Sequence, residues 1–88
     1  MERYYGFEGW LKANGYKTWR TYISFMRQIE KDLGGIDLAT ITSTSYLDKL
    51  LLELKTKNAF ISRGESDRSN ILSGFGAFIA YVKEKKHK

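Results

Sequence analysis

The most constraining feature of this chain is an apolar stripe that runs through residues 17–33. Five side chains of this stretch are spaced alternately three and four residues apart: Trp19, Tyr22, Met26, Ile29 and Leu33. Because successive residues of an α-helix are about 100° apart, this spacing places all five on one face, with Ile23 at its margin. The stretch therefore predicts a central amphipathic helix over residues 17–33 that packs one face into a core.

Positive charges gather on another face of the same predicted helix. Four cations and two polar side chains share it: Lys17, Arg20, Ser24, Arg27, Gln28 and Lys31. Neither acidic residue joins them, since Glu30 lies beside the apolar stripe and Asp32 lies near Phe25. Such a face is either ordinary solvated surface or a surface that binds a polyanion.

Helical spacing recurs in three further stretches of the chain: residues 2–14, 44–57 and 66–84. Gly15 after Asn14 is typical of the end of a helix, and Gly34-Gly35 would end the central one. Ser45 and Asp48 match an aspartate form of the capping box at the start of the third helix. Ser66-Asp67 predicts the start of the last helix.

Two connecting segments carry apolar residues that we expect to lie in the core. Residues 36–42 predict a loop or one helical turn, because no partner strand is visible. Three residues of this segment would fill the core: Ile36, Leu38 and Ile41. Residues 59–65 predict a loop with Phe60 and Ile61 directed inward.

These elements predict an all-α fold, a compact bundle of four to five helices that forms a single domain over residues 1–88. Residues 83–88 are basic and lack apolar side chains, so we expect a frayed tail or the start of a linker. Nine side chains are expected to be largely buried: Trp10, Trp19, Tyr22, Met26, Ile29, Leu50, Leu54, Phe75 and Phe78.

One side of the last predicted helix carries only small residues. They are Ser69, Ser73, Gly76, Ala77 and Ala80. Because serine and glycine lower helix propensity, we expect something to approach this side closely. A packed neighbouring helix is favoured over the backbone of a nucleic acid.

The formal net charge of +5 favours a polyanionic partner, with nucleic acid first and an acidic membrane surface second. The chain has no cysteine, which fits a reducing, cytoplasmic setting. No apolar run approaches the roughly 20 residues of a membrane span, so no spanning segment is expected. With nucleic acid favoured as the polyanion, we expect no membrane partner. If each helix buries its one apolar stripe, the isolated domain is a monomer.

The residues do not assemble into a catalytic constellation, so we expect neither an enzyme nor a cofactor. His87 is the only histidine, and without cysteines or a second histidine it cannot build a metal site. The Gly-x-Gly of residues 73–78 lies inside a helical pattern and is weak evidence for a phosphate loop.

The order of motifs resembles the N-terminal core-binding, or SAM-like, domain of phage integrases and other tyrosine recombinases. The resemblance covers about residues 4–82. It includes, in chain order, Phe7-x-x-Trp10-Leu11, Gly15, Thr18-x-x-Thr21-Tyr22, Ile29, Leu33-Gly34, Leu38-x-x-Ile41-Thr42, Tyr46-Leu47-x-x-Leu50, Ser66 and Ile71-Leu72-Ser73-Gly74-Phe75-x-x-Phe78-x-x-Tyr81. In that family the domain clasps one side of a DNA duplex. A separate domain carries the Arg…His-x-x-Arg…Tyr catalytic set, which has no counterpart here.

The resemblance implies contacts to double-stranded DNA from the start of the second helix and from the last helix. In this chain those positions are Lys17, Thr18, Arg20, Thr21, Arg63, Ser66, Arg68 and Ser69. Arg27 and Lys31 are added by the helical wheel alone. The predicted function is a non-catalytic clamp module that acts in DNA integration or recombination. A SAM-like protein-interaction module, a DNA-binding appendage of another DNA-processing enzyme, an RNA binder and a fragment of an unrelated helical enzyme are the alternatives.

Overall fold

The computed structural model describes residues 4–86, and the regular structure in this range is entirely helical. The elements in chain order are α1 (Tyr5–Ala13), α2 (Trp19–Asp32), a 3₁₀ turn (Leu38–Thr40), α3 (Thr44–Leu54), α4 (Asn58–Ile61) and α5 (Glu65–Lys86). The prediction of an all-α bundle of four to five helices is confirmed. None of the helices within residues 4–86 has an apolar stretch long enough to cross a bilayer.

The central helix begins later than its sequence pattern predicts. It starts at Trp19 rather than at residue 17, and the Thr18 side chain makes no capping hydrogen bond. Its end follows the prediction, because Gly34 and Gly35 adopt φ values of 88° and 90° that favour glycine. The Gly35 N–H donates to the Glu30 carbonyl at 2.7 Å, which satisfies a carbonyl of the last turn.

The third helix uses a different cap from the predicted one. Its N-cap is Ser43, whose hydroxyl accepts a hydrogen bond from the Tyr46 N–H at 3.3 Å. The predicted capping box at Ser45 and Asp48 is therefore wrong, because both residues lie inside the helix. The helix also ends at Leu54, short of the predicted boundary at 57.

The two connecting segments are more helical than expected. The 3₁₀ turn confirms the predicted single turn in residues 36–42, and Leu38 is fully buried there. The segment predicted as a loop at 59–65 instead overlaps α4, which spans Asn58–Ile61. Phe60 is buried as predicted, but Ile61 is 49% exposed, so its predicted inward position is wrong.

Helix α5 is central to the core, since it contacts α1, α2 and α3. Six of the nine expected core residues are buried: Met26, Ile29, Leu50, Leu54, Phe75 and Phe78. Trp10, Trp19 and Tyr22 are only partly buried and pack against the edge of this core. Large rings with a polar atom favour such edges, where the ring is covered and the polar atom finds a partner.

Within the basic segment predicted as a frayed tail or linker, residues 83–86 are helical, because α5 continues to Lys86. The Trp10 indole N–H donates to the Glu84 carboxylate at 2.7 Å and ties this last part of α5 to α1. His87 and Lys88 lie outside the described residues, as do residues 1–3 at the start of the first predicted helix.

Within residues 4–86, the small-residue side of α5 does not face a neighbouring helix. Ser69, Ser73, Gly76 and Ala80 are exposed, and only Ala77 is buried. A Cβ atom built at Gly76 would meet nothing within 4 Å. The close approach occurs at Gly74 instead, where such an atom would lie 3.1 Å from the Phe25 side chain of α2. The predicted packing of a helix on this side is therefore wrong.

Candidate nucleic-acid interface

The solvent-facing stripe of α2 carries positive charge along its length. Arg20, Arg27 and Lys31 are exposed on it, with Ser24 among them. These three cations lie within about 40° of one another around the helix axis and span about 16 Å along it. Among the described residues, neither Arg20 nor Lys31 forms an ion pair with a carboxylate. The stripe therefore presents cations to solvent over three turns of helix.

One acidic residue of α2 is withdrawn into the core. Glu30 is only 7% exposed and accepts a hydrogen bond from the Tyr4 hydroxyl at 2.7 Å. The same carboxylate oxygen accepts the Leu38 N–H at 2.9 Å. These bonds join the segment before α1, helix α2 and the 3₁₀ turn. The sequence pattern placed Glu30 beside the apolar stripe and did not indicate these contacts.

The other acidic residue of α2 is held by an arginine from the segment between α4 and α5. The Arg63 Nε and Nη2 atoms donate to the two carboxylate oxygens of Asp32 at 3.0 and 3.1 Å. The Asp32 side chain is 5% exposed and that of Arg63 is 25% exposed. Because both acids of α2 are engaged away from the stripe, its surface charge is positive.

Hydrogen bonding to Asp32 raises the pKa of Arg63, and the charges of Asp32 and Asp67 act in the same direction against the effect of burial. Arg63 therefore stays protonated throughout the neutral range and keeps both donors on the Asp32 carboxylate.

The two arginines predicted to contact DNA near α5 bind other parts of the protein. Besides Arg63, which binds Asp32, Arg68 donates from Nη1 to the Ile61 carbonyl at 2.8 Å. Both side chains stabilise the α4–α5 junction. Ser66 and Ser69, predicted from the same resemblance, are exposed on α5.

Replacing Arg63 with alanine is expected to lower the free energy of unfolding by about 2 kcal/mol, less than for a fully buried pair because Arg63 is partly exposed. The loss arises because the Asp32 carboxylate would remain nearly buried without its cation. Urea denaturation measures this change. Lys55→Ala removes the same charge from an exposed site and should leave stability within about 0.5 kcal/mol. Equal stability of both variants would show that the ion pair contributes little.

The predicted residues at the start of α2 lie together. Lys17 and Thr18 are exposed in the turn before the helix, and Arg20 and Thr21 are exposed in its first turn. Tyr16 fixes this turn because its ring centroid lies 5.9 Å from that of Trp10 and 5.2 Å from that of Tyr22. The polar segment is therefore anchored to the aromatic edge of the core.

The sequence pattern indicated Arg20 but missed a second cation beside this turn. The Lys12 Nζ atom of α1 lies 4.3 Å from the centroid of the Trp19 ring. The Arg20 guanidinium carbon lies 5.1 Å from a Trp19 ring centroid. Only the packing of α1 beside α2 brings Lys12 to this surface, and no local spacing in the sequence indicates it.

The described residues contain no group of three or more His, Cys, Asp or Glu side chains that could hold a metal ion. A cavity of about 200 Å³ lies between α1, the 3₁₀ turn and α5, and it has a mainly apolar lining that includes Phe7, Phe78 and Val82. None of the described residues that line it carries a carboxylate or an imidazole. The charged surface of α2 is therefore the stronger candidate for a functional site.

Comparisons with protein-family models, with curated proteins and with solved structures give no match to this chain.

Proposed function

We propose that this domain is a non-catalytic module that binds double-stranded DNA through its phosphate backbone. The observation that carries the proposal is the exposed stripe of Arg20, Arg27 and Lys31 on α2, from which both acidic residues of the helix are withdrawn. The absence of acidic residues does not stabilise a helix face that is merely solvated, because pairs of opposite charges along a helix are stabilising. On a surface that binds a polyanion, the absence of acidic residues increases affinity, since each carboxylate would repel a phosphate.

The composition of this surface favours phosphates over base edges as ligands. Lys17, Thr18 and Thr21 add exposed donors beside the stripe. Lys, Arg, Ser and Thr donate readily to phosphate oxygens, and such contacts position a protein on the duplex without reading its sequence. Sequence-independent binding that weakens steeply with salt is the expected behaviour.

In its most specific form, the proposal makes the domain the N-terminal clamp of a phage integrase or another tyrosine recombinase. This form is based on the motif order of the chain, and the all-α fold supports it only in general terms. A catalytic domain on another part of the protein would then cut the strands during DNA integration or recombination. A DNA-binding appendage of a different DNA-processing enzyme would use the same surface.

Replacing Arg20 with alanine is expected to weaken binding to all duplex sequences about equally. The plot of log affinity against log salt concentration should become shallower by about one unit, because one phosphate contact is lost. Fluorescence anisotropy titrations of two unrelated duplexes at several salt concentrations measure both quantities.

Lys49→Ala is the matched control for Arg20→Ala, since it removes one exposed positive charge from α3. It should leave the slope unchanged. If the two variants behave alike, binding responds only to net charge and the α2 surface has no special part in it.

A second candidate function is protein–protein interaction, which the exposed small side of α5 favours. Ser69, Ser73, Gly76 and Ala80 form one stripe that would allow another helix to approach closely. Leu52 is 64% exposed on α3, but Tyr46 lies about 120° around that helix from it, so the two do not share one face.

Sedimentation should show a monomer at micromolar concentration, whereas a stable dimer would favour this second function.

A further inference from the structure

We infer that Lys12 and Arg20 form a phosphate-binding subsite at the junction of α1 and α2, in which Trp19 orients both cations. The inference rests on the proposed DNA-binding function and extends its surface from α2 onto α1. It adds a ligand-binding residue, Lys12, and a positioning residue, Trp19, that the sequence pattern did not indicate.

The geometry of the three side chains carries the inference. Lys12 Nζ and the Arg20 guanidinium carbon lie 4.3 and 5.1 Å from Trp19 ring centroids. Both distances are within the range of cation–π attraction, which is strongest for tryptophan. Both cationic centres therefore lie beside the same indole, where they can act on neighbouring phosphate groups.

The Trp19 ring is suited to hold the two cations in place. It packs partly buried against the core and begins helix α2, so its position is set by the fold. Free Lys and Arg side chains lose rotamer entropy when they bind a ligand. Side chains already held over a ring lose less, and this preorganisation favours binding.

An internal carboxylate already occupies part of this subsite. Glu8 Oε2 lies 3.2 Å from Lys12 Nζ, one helical turn away on α1. This carboxylate competes with a phosphate oxygen for the same ammonium group. Because the Lys12 side chain is 50% exposed, a polyanion can reach its ammonium group and compete with Glu8.

The chain offers a matched control for this arrangement. Lys57 and Glu53 have the same spacing, and Lys57 Nζ lies at the same 3.2 Å from the Glu53 carboxylate. Within the described part of the chain, Lys57 lies over no aromatic ring. The two pairs differ in the feature under test, which is the position beside Trp19 and Arg20.

The test compares Lys12→Gln with Lys57→Gln in titrations of a labelled duplex at several salt concentrations. Lys12→Gln should weaken binding about five- to tenfold at moderate salt and make the log–log slope shallower by about one unit. Lys57→Gln should change affinity less than about twofold and leave the slope unchanged. Glu8→Gln should strengthen binding more than Glu53→Gln does, because it releases Lys12.

The part played by Trp19 is tested with Trp19→Leu and Trp19→Phe. Trp19→Leu keeps both cations but removes the ring, so affinity should fall about threefold while the salt slope stays within about half a unit. Trp19→Phe should recover part of the affinity, since phenylalanine keeps an aromatic face. Circular dichroism establishes that both variants are folded, and Trp19→Leu with wild-type affinity would contradict the positioning role.

Equal behaviour of Lys12→Gln and Lys57→Gln would overturn the subsite. If Arg20→Ala still weakened binding, the proposed function would stand without it. If the wild-type protein bound no duplex even at low salt, the proposed function would fail and the subsite with it.

Discussion

Replacing Phe78 with alanine is expected to lower the free energy of unfolding by about 3–5 kcal/mol, a large part of the stability of a domain this small. Phe78 is 2% exposed in the middle of α5. Its ring packs edge-on against Tyr4 and Phe7, with ring centroids 5.7 and 5.2 Å away. Truncation would leave a cavity where α1 meets α5, because close-packed neighbours cannot fill the space of a whole ring.

The midpoint of urea denaturation, followed by circular dichroism, measures this loss. Leu52→Ala is the control, since it truncates an apolar side chain that is 64% exposed on α3. It should change stability by less than about 0.5 kcal/mol. A Phe78→Ala variant as stable as Leu52→Ala would mean that α1 and α5 do not pack as described.

Replacing Arg20, Arg27 and Lys31 together with glutamine is expected to weaken duplex binding by about two to three orders of magnitude near 0.1 M salt. Each lost phosphate contact removes about 0.9 from the log–log slope, so three contacts remove between two and three units. The three residues are exposed, so the protein should keep its fold and its stability. Anisotropy titrations over a range of salt concentrations measure the loss.

The control for this triple variant removes three exposed lysines from elsewhere: Lys49, Lys55 and Lys83. The net charge changes by the same amount, but these lysines lie in α3, directly after α3 and near the C-terminal end of α5. Their loss should weaken binding less than about tenfold, through the long-range field alone. Similar losses in both variants would contradict a binding surface on α2.

Local patterns predicted the parts of the fold that depend on neighbours in sequence. Met26 and Ile29 are buried because they lie on the apolar stripe of α2, and Gly34-Gly35 ends that helix as expected. Ile23 was placed only at the margin of the stripe, yet it is buried, and α2 has both α1 and α5 as neighbours. The width of a buried face depends on how many neighbours cover it, which a helical wheel does not contain.

Several errors arose where local signals were ambiguous. Residues 42–45 are all Thr or Ser, so each could cap a helix, and the residue that does so is Ser43. Helix α4 is only four residues long, which is too short to show helical periodicity. The small side of α5 suggested a packed helix, but small residues also occur on exposed faces.

The positive stripe of α2 could be predicted because it belongs to one helix. The contacts that shape it could not, because they join distant parts of the chain. Asp32 and Arg63 are 31 residues apart, and Tyr4 and Glu30 are 26 apart. The spacing of residues along the sequence does not indicate these contacts. It therefore cannot predict that both acids are buried or that Arg63 binds within the protein.

The most direct measurement of DNA binding is a titration of a labelled duplex with the wild-type domain at several salt concentrations. A surface that makes three to five phosphate contacts should bind with a dissociation constant of about a micromolar at moderate salt. The log–log slope should lie between about −3 and −4.5, and two duplexes of unrelated sequence should give similar values. No binding at low salt, or an affinity that does not change with salt, would contradict a phosphate-binding surface on α2.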